Sequence, residues 1–245
     1  MDPKWVHEEA VALATQTWTP EALGTVAQTL ESQGTAAVLR WAYQQFGPLE
    51  IGLACSFGAE DVALVDMVAR LCPGARVFYL DTDVLFPETY ALIERVKARY
   101  DIDLKRYQPL LTLAEQAARH GEAVWTADPD ACCGIRKIEP LKRALGEHEA
   151  WITGIRREQA PTRANAQVVE WDAKFGLVKV NPLATWTEQD VWTYILANDV
   201  PYNPLHDQGY PSIGCTHCTR AVRQGEDPRA GRWSGFAKTE CGLHK

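Results

Sequence analysis

The chain has 245 residues and a formal net charge of −7, with 46% hydrophobic and 23% charged residues. That length fills one α/β domain with a full core and is too short for two large ones, and the composition is that of a soluble globular protein. The acidic balance argues against a general nucleic-acid binder, and no run is long and apolar enough for a membrane span, so neither partner is expected.

The first residues include Asp2, His7, Glu8 and Glu9 instead of a basic stretch and an apolar run, which makes the cytoplasm the expected compartment. Helical segments are predicted near 5–16, 20–33 and 35–46, with Gly34 and Gly47-Pro48 as breaks. A strand at 51–56 and a strongly apolar helix at 59–71 follow, the helix stopped by Cys72-Pro73-Gly74. The alternation continues with a strand at 76–80, a helix at 87–99 opened by Pro87, a strand at 102–107 and a helix at 111–120. Strand, turn and helix in repetition predict an α/β fold, a parallel sheet with helices on both faces, whose sites lie at the carboxyl ends of the strands. Later elements are a strand at 151–154, a strand pair at 168–171 and 177–180, and a helix at 187–198. From Pro201 onward Pro, Gly, His and Cys dominate. The expected organisation is one domain: a helical segment over 1–49, an α/β core over 50–200, and a cysteine- and arginine-rich tail over 201–245.

Two strand-end loops could hold a nucleotide. Ser56-Phe57-Gly58-Ala59-Glu60-Asp61 joins a strand to a helix, where small residues and free helix N–H groups suit an anion. Taken alone, a plain strand-to-helix turn explains it more readily, and no lysine follows as in the common nucleotide loop. Leu80-Asp81-Thr82-Asp83 leaves the next strand with groups that could bond a ribose or a base, or merely cap a helix. The arginines fall in two groups, Arg156, Arg157 and Arg163, then Arg220, Arg223, Arg229 and Arg232. In an acidic protein these fit a small anionic ligand.

Seven cysteines in a chain of this type read as metal ligands or catalytic thiols sooner than as disulfides. Cys132-Cys133 and the Cys215-x-x-Cys218 pair could bind zinc, bind an iron–sulfur cluster or act as redox dithiols. Adjacent donors reach one tetrahedral ion awkwardly, whereas a cubane tolerates them. Cys55 and Cys72 read as buried thiols without chemistry. Cys241, in Lys238-Thr239-Glu240-Cys241-Gly242-Leu243-His244, could close over a substrate and then meet a second protein.

Taken together, Ser56–Asp61, the run at 80–89, Cys-Cys-Gly-Ile-Arg-Lys at 132–137, Gly-Cys-Thr-His-Cys-Thr-Arg at 214–220, Gly-Glu-Asp-Pro-Arg-Ala-Gly-Arg-Trp at 225–233 and Glu-Cys-Gly-Leu-His at 240–244 resemble the assimilatory phosphoadenylyl/adenylyl-sulfate reductases. Asp83 stands where many members have glycine. The resemblance implies an adenine nucleotide α-hydrolase, PP-loop-like fold and reduction of adenylyl sulfate to sulfite and AMP. It implies a [4Fe–4S] cluster on Cys132, Cys133, Cys215 and Cys218, and Cys241 as a nucleophile that becomes an S-sulfonate. Substrate contacts would come from Ser56, Phe57, Gly58, Glu60, Asp61, Leu80, Asp81 and Thr82, with Lys137 between cluster and sulfate. Arg163, Arg229 and Arg232 would neutralise sulfate and phosphate oxygens. The reductant would be a thioredoxin- or glutaredoxin-like thiol, and a homo-oligomer is left open. Rival readings are a reductase of the 3′-phosphorylated nucleotide, an ATP-using sulfurtransferase, and a zinc-binding interaction module. Ala59 and Asp61 stand where the sulfurtransferase loop would want glycine and serine.

Overall fold

The computed structural model describes residues 18–236, Lys238 and 240–243; the helix expected near 5–16 lies outside them. The first described helix, α1 (Pro20–Glu31), starts at Thr19, whose side chain accepts from the Ala22 N–H. Helix α2 (Thr35–Glu50) is interrupted at Gly47, whose φ of +71° breaks the helical backbone just before Pro48. The alternation then runs β1 (Ile51–Ala54), α3 (Ala59–Leu71), β2 (Ala75–Leu80), α4 (Pro87–Arg99), β3 (Ile102–Tyr107) and α5 (Leu113–His120). A capping box of Thr112 and Glu115 opens α5.

Between α5 and the next strand lies helical structure that the apolar pattern did not announce. It comprises α6 (Val124–Ala127), α7 (Pro129–Cys133), a π-turn (Gly134–Ile138) and α8 (Glu139–Leu145). These pieces are short, and the wide π-turn shifts the phase of the 3.6-residue period, so no continuous stripe exists to be read. The chain finishes its sheet with β4 (Ala150–Ile152), β5 (Val169–Asp172) and β6 (Leu177–Val180), then adds α9 (Glu188–Ala197).

The sheet order is β3-β2-β1-β4-β6-β5. All pairings are parallel except the last, where β5 runs antiparallel to β6. Strands β1 to β3 step outward in one direction and β4 returns to the other side of β1. That reversal makes β1/β4 the switch point, and a crevice opens beyond the carboxyl ends of those strands.

Alternating side chains feed two unequal cores. Val77, Tyr79, Ala150, Ile152, Val178 and Val180 join the larger one with α1, α2, α3, α4 and α9. Phe78, Trp151 and Leu177 point the other way, onto Leu141, Ala144 and Leu145 of α8. Helices therefore cover both faces, as expected. Among the described residues no helix is long and apolar enough to cross a membrane.

The large core contains one charged hub. Asp66 of α3 is 1% exposed. It accepts from Tyr100 Oη at 3.0 Å and Tyr194 Oη at 2.6 Å, with Arg70 Nε at 2.8 Å. One carboxylate thus ties α3 to α9 and to the segment after α4. Asp66→Ala strips two half-buried hydroxyls of their acceptor and should cost about 2–4 kcal/mol. For a chain of this size that is a fall of roughly 5–15 °C in Tm, and a shift under about 2 °C would contradict the assignment.

Candidate active site

Beyond the ends of β1, β2 and β4 lies a pocket of about 330 Å³, within the range that holds a nucleotide-sized ligand. Its floor is the β1–α3 loop. Phe57 has φ +61°, is 2% exposed, and packs edge-on against Tyr79 at 5.5 Å. This left-handed turn leads into Gly58, which opens α3 without a side-chain cap, and the first N–H groups of a helix suit an anion. Asp61 closes the turn from within: its Oδ2 accepts from Ser56 N and Ser56 Oγ, both at 2.6 Å. Burial pushes the Asp61 carboxyl up to about 6, against the lowering effect of the Ser56 hydrogen bonds. Gly154, just past β4, must lack a side chain, because a Cβ there would run into Asp61 Oδ1.

The β2–α4 loop forms one wall. Leu80 and Thr82 line the pocket, whereas the Asp81 carboxylate is taken up inside the loop. It accepts from Asp83 N at 2.9 Å, Tyr90 Oη at 2.8 Å and Arg106 Nε at 2.7 Å. Asp83 adopts φ +60°, a conformation that explains why glycine is at home there. Its side chain compensates: Oδ2 receives Arg136 Nη1 at 2.9 Å and Oδ1 receives Gln108 Nε2 at 3.1 Å. Arg136 is 1% exposed and also donates to the Thr82 carbonyl at 3.0 Å. Neither Asp83 nor Arg136 carried a structural signal in the sequence beyond the departure from glycine.

The four paired cysteines meet around a second, much smaller cavity, lined also by Lys137, Trp125 and His217. Cys132, Cys133, Arg136 and Lys137 share a cavity because residues three and four apart lie on one face of a helix. The wider i→i+5 turn over Gly134–Ile138 continues that face. Cys215 and Cys218 arrive on the tail, which is tied to the β2–α4 loop by Thr216 N donating to the Val84 carbonyl at 2.9 Å. The Thr82 hydroxyl and Cys215 Sγ are 3.3 Å apart, and Trp125 stacks on His217 at 4.1 Å. Burial and the neighbouring sulfurs push the Cys132 thiol up to about 11. Among the described residues no three Cys, His, Asp or Glu side chains converge closely enough to hold a single ion. Four thiols ringing one cavity form a donor set that suits a sulfur-ligated metal group, which would draw off their protons.

Lys137 lines both cavities. Burial works against its charge, but the Cys215, Cys241 and Cys133 sulfurs outweigh it and raise its pKa. Cys241 lines the large pocket, as do Arg163, Arg229 and Arg232. Arg232 donates to Ser212 Oγ and the Ile213 carbonyl at 3.1 and 3.2 Å, and Gly214 leaves the space its guanidinium fills. Arg163 and Arg229 both reach Glu240, next to Cys241, at 2.9 and 3.1 Å. Burial alone would raise the Glu240 carboxyl, yet the Arg163 hydrogen bonds and both guanidinium charges hold it below the usual range.

Three of the other four arginines in the two groups pair with carboxylates within the fold. Arg156 pairs with Glu60 at 2.8 Å, Arg157 with Glu31 at 2.7 Å, and Arg220 with Glu226 at 2.8 Å. Ser56, Phe57, Gly58, Glu60 and Asp61 all line the pocket. So does Cys55, although it is 3% exposed and burial raises its thiol well above the ordinary value.

Residues 50–221 match the family model described as the phosphoadenosine phosphosulfate reductase domain. The adenosine 5'-phosphosulfate reductase of Halalkalibacterium halodurans is 50% identical over 221 residues, which span 90% of this chain and 95% of that protein. A phosphoadenosine 5'-phosphosulfate reductase of Gloeobacter violaceus is likewise 50% identical, over 89% of this chain and 92% of its own. Among solved structures, the phosphate complex of phosphoadenylyl-sulfate reductase from Candida auris has a TM-score of 0.75 at 33% identity, covering 84% of this chain and 100% of that one. The NH3-dependent NAD synthetase of Campylobacter jejuni has a TM-score of 0.51 at 8% identity, over 76% of this chain and 79% of that one. That last likeness is one of fold, the PP-loop-like sheet expected from the sequence. The chain belongs to the phosphoadenosine phosphosulfate reductase family.

Proposed function

We propose that this chain reduces adenylyl sulfate to sulfite and AMP in sulfate assimilation. The observation that carries the reading is the position of Lys137. It lines the strand-end pocket together with Cys241, and it also lines the cavity ringed by Cys132, Cys133, Cys215 and Cys218. A nucleophile, an anion pocket and a metal-type donor set therefore share one cation.

In this reading the loop from Ser56 to Asp61 and the first turn of α3 receive the phosphate and sulfate end, while Leu80 and Thr82 form the nucleoside side on a loop that Asp81 holds in shape. Attack by a thiolate on a sulfate brings negative charge onto negative charge, so fixed cations are needed at the oxygens. Lys137, Arg163, Arg229 and Arg232 supply them. Cys241 Sγ forms a bond to the substrate sulfur, the bond from sulfur to the phosphate oxygen breaks, and AMP leaves with that electron pair. The product is an S-sulfonate on Cys241. A thiolate of a thioredoxin- or glutaredoxin-like dithiol then attacks Sγ, sulfite departs with the bonding pair, and the second thiol resolves the mixed disulfide. The dithiol supplies both electrons.

Cys132, Cys133, Cys215 and Cys218 would hold a [4Fe–4S] cluster. When bound, that group supplies a structural and electrostatic centre beside Lys137. The chain would work in the cytoplasm as one domain, with 201–245 as its catalytic tail.

Reduction of 3'-phosphoadenylyl sulfate is the second reading, and the names of the Gloeobacter violaceus and Candida auris proteins favour it. The four paired cysteines, which the resemblance associates with adenylyl sulfate, favour the first. Sulfite release by anaerobically purified protein with dithiol reductant decides between them. We expect kcat/KM for adenylyl sulfate to exceed that for the 3'-phosphorylated substrate by about tenfold or more, and the reverse order would overturn the assignment. Elemental analysis of the same preparation should find about four irons and four sulfides per chain, as a cubane requires. A colourless protein carrying a single zinc would contradict the cluster.

A further inference from the structure

The tail that carries Cys241 is fastened by charge at its neighbour. Glu240 is 1% exposed. Its Oε1 accepts from Arg163 Nε at 2.9 Å and Thr162 Oγ1 at 3.2 Å. Its Oε2 accepts from Arg163 Nη2 at 2.9 Å and Arg229 Nη2 at 3.1 Å. The Arg163 contact is a two-bond fork, the strongest form of carboxylate recognition by a side chain.

The fork itself is held firmly. Arg163 Nη1 donates to Gln159 Oε1 at 2.6 Å, and that same oxygen receives the Arg156 N–H at 3.0 Å. Glu240 is therefore bound to the segment that follows β4, the strand at the switch point of the sheet. Other anchors among the described residues hold the tail on either side. Lys238, its side chain only 5% exposed, pairs with Asp130, Lys174 Nζ donates to the Gly242 carbonyl at an exposed site, where such contacts contribute little, and Leu243 packs at the margin of the smaller core.

We infer that Glu240 is the positioning residue for Cys241: its carboxylate, seated on Arg163 and Arg229, latches the tail so that the thiol lies in the substrate pocket. The latch also tunes the pocket. The Glu240 carboxylate offsets part of the charge that Arg163 and Arg229 turn towards a substrate anion. Among the described residues, Lys137 and Arg232 line the pocket without an ion pair to a carboxylate. The inference rests on Cys241 as the nucleophile of the proposed reaction, but the latch can be read without any turnover.

The test measures alkylation of Cys241 by iodoacetamide in the full chain with its metal centre loaded and no nucleotide, followed by mass spectrometry of the C-terminal peptide. Because breaking a buried pair removes most of its hold on the tail, Glu240→Gln should speed alkylation about tenfold, with Cys55 and Cys72 still protected. Arg163→Ala should do the same, and the double variant should stay at about tenfold instead of multiplying towards a hundredfold, as partners in one interaction behave. Saturating turnover by Glu240→Gln should fall by about tenfold while KM moves less than about threefold, since the defect lies in placing the thiol. Alkylation within twofold of the native rate, multiplying effects, or an unchanged kcat would each overturn the latch. Full turnover by Cys241→Ser would instead defeat the parent reading, and the alkylation arm would still decide the latch.

Discussion

The helical face that carries Cys132, Cys133, Arg136 and Lys137 is the constraint on which the rest of the site depends. Spacings of three and four residues put these side chains on one side of the helix. The wider turn at Gly134–Ile138 continues that face, and all four line a single cavity. From there Arg136 reaches into the β2–α4 loop and holds the Thr82 carbonyl and Asp83, while Lys137 passes to the large pocket. The loop that forms one wall of the pocket and the helix that carries two cysteines are therefore locked as one piece. The tail joins them through Cys215, which contacts Thr82. Disturbing that helical face would disturb both cavities at once, because Lys137 lines the two of them.

Charge is distributed with comparable economy. Of the arginines that cluster in the sequence, Arg156, Arg157 and Arg220 neutralise carboxylates within the fold. Asp61 and Asp81, which look like ligand groups, instead hold their own loops in shape. The pocket is lined by Arg156, already paired with Glu60, and by Lys137 and Arg232 beside the Arg163–Glu240–Arg229 triad. A site that must accept an anion and an attacking sulfur together needs surplus positive charge held in place, so that no reorganisation is demanded at the moment of reaction.

Much of this was legible in the sequence for definite physical reasons. Helix α3 and helix α4 begin and end where the pattern put them, because Gly58 and Pro87 open them and Cys72 and Tyr100 close them. The strand pair at the end of the sheet was also visible, although its antiparallel sense comes from the short turn around Gly176. The pocket residues on the β1–α3 loop follow from strand-end topology alone. What stayed hidden depends on side-chain partners far apart in the chain. Nothing in the spacing of Glu240 shows that Arg163 and Arg229 will meet it, and nothing about Asp81 shows that Tyr90 and Arg106 will claim it. The π-turn was hidden because it breaks the very period by which helices are recognised.

The central claim is that Cys241 takes the sulfonyl group before any reductant acts. Anaerobically purified chain, incubated with adenylyl sulfate and no dithiol, tests it directly through AMP release and mass spectrometry of the cysteine peptides. Cys55 lines the same pocket, so the position of the adduct carries real information. The account predicts stoichiometric AMP and a sulfonate on Cys241 alone, discharged as sulfite when reduced thioredoxin is added. An adduct on Cys55 or Cys72, or full turnover by Cys241→Ser, would contradict it.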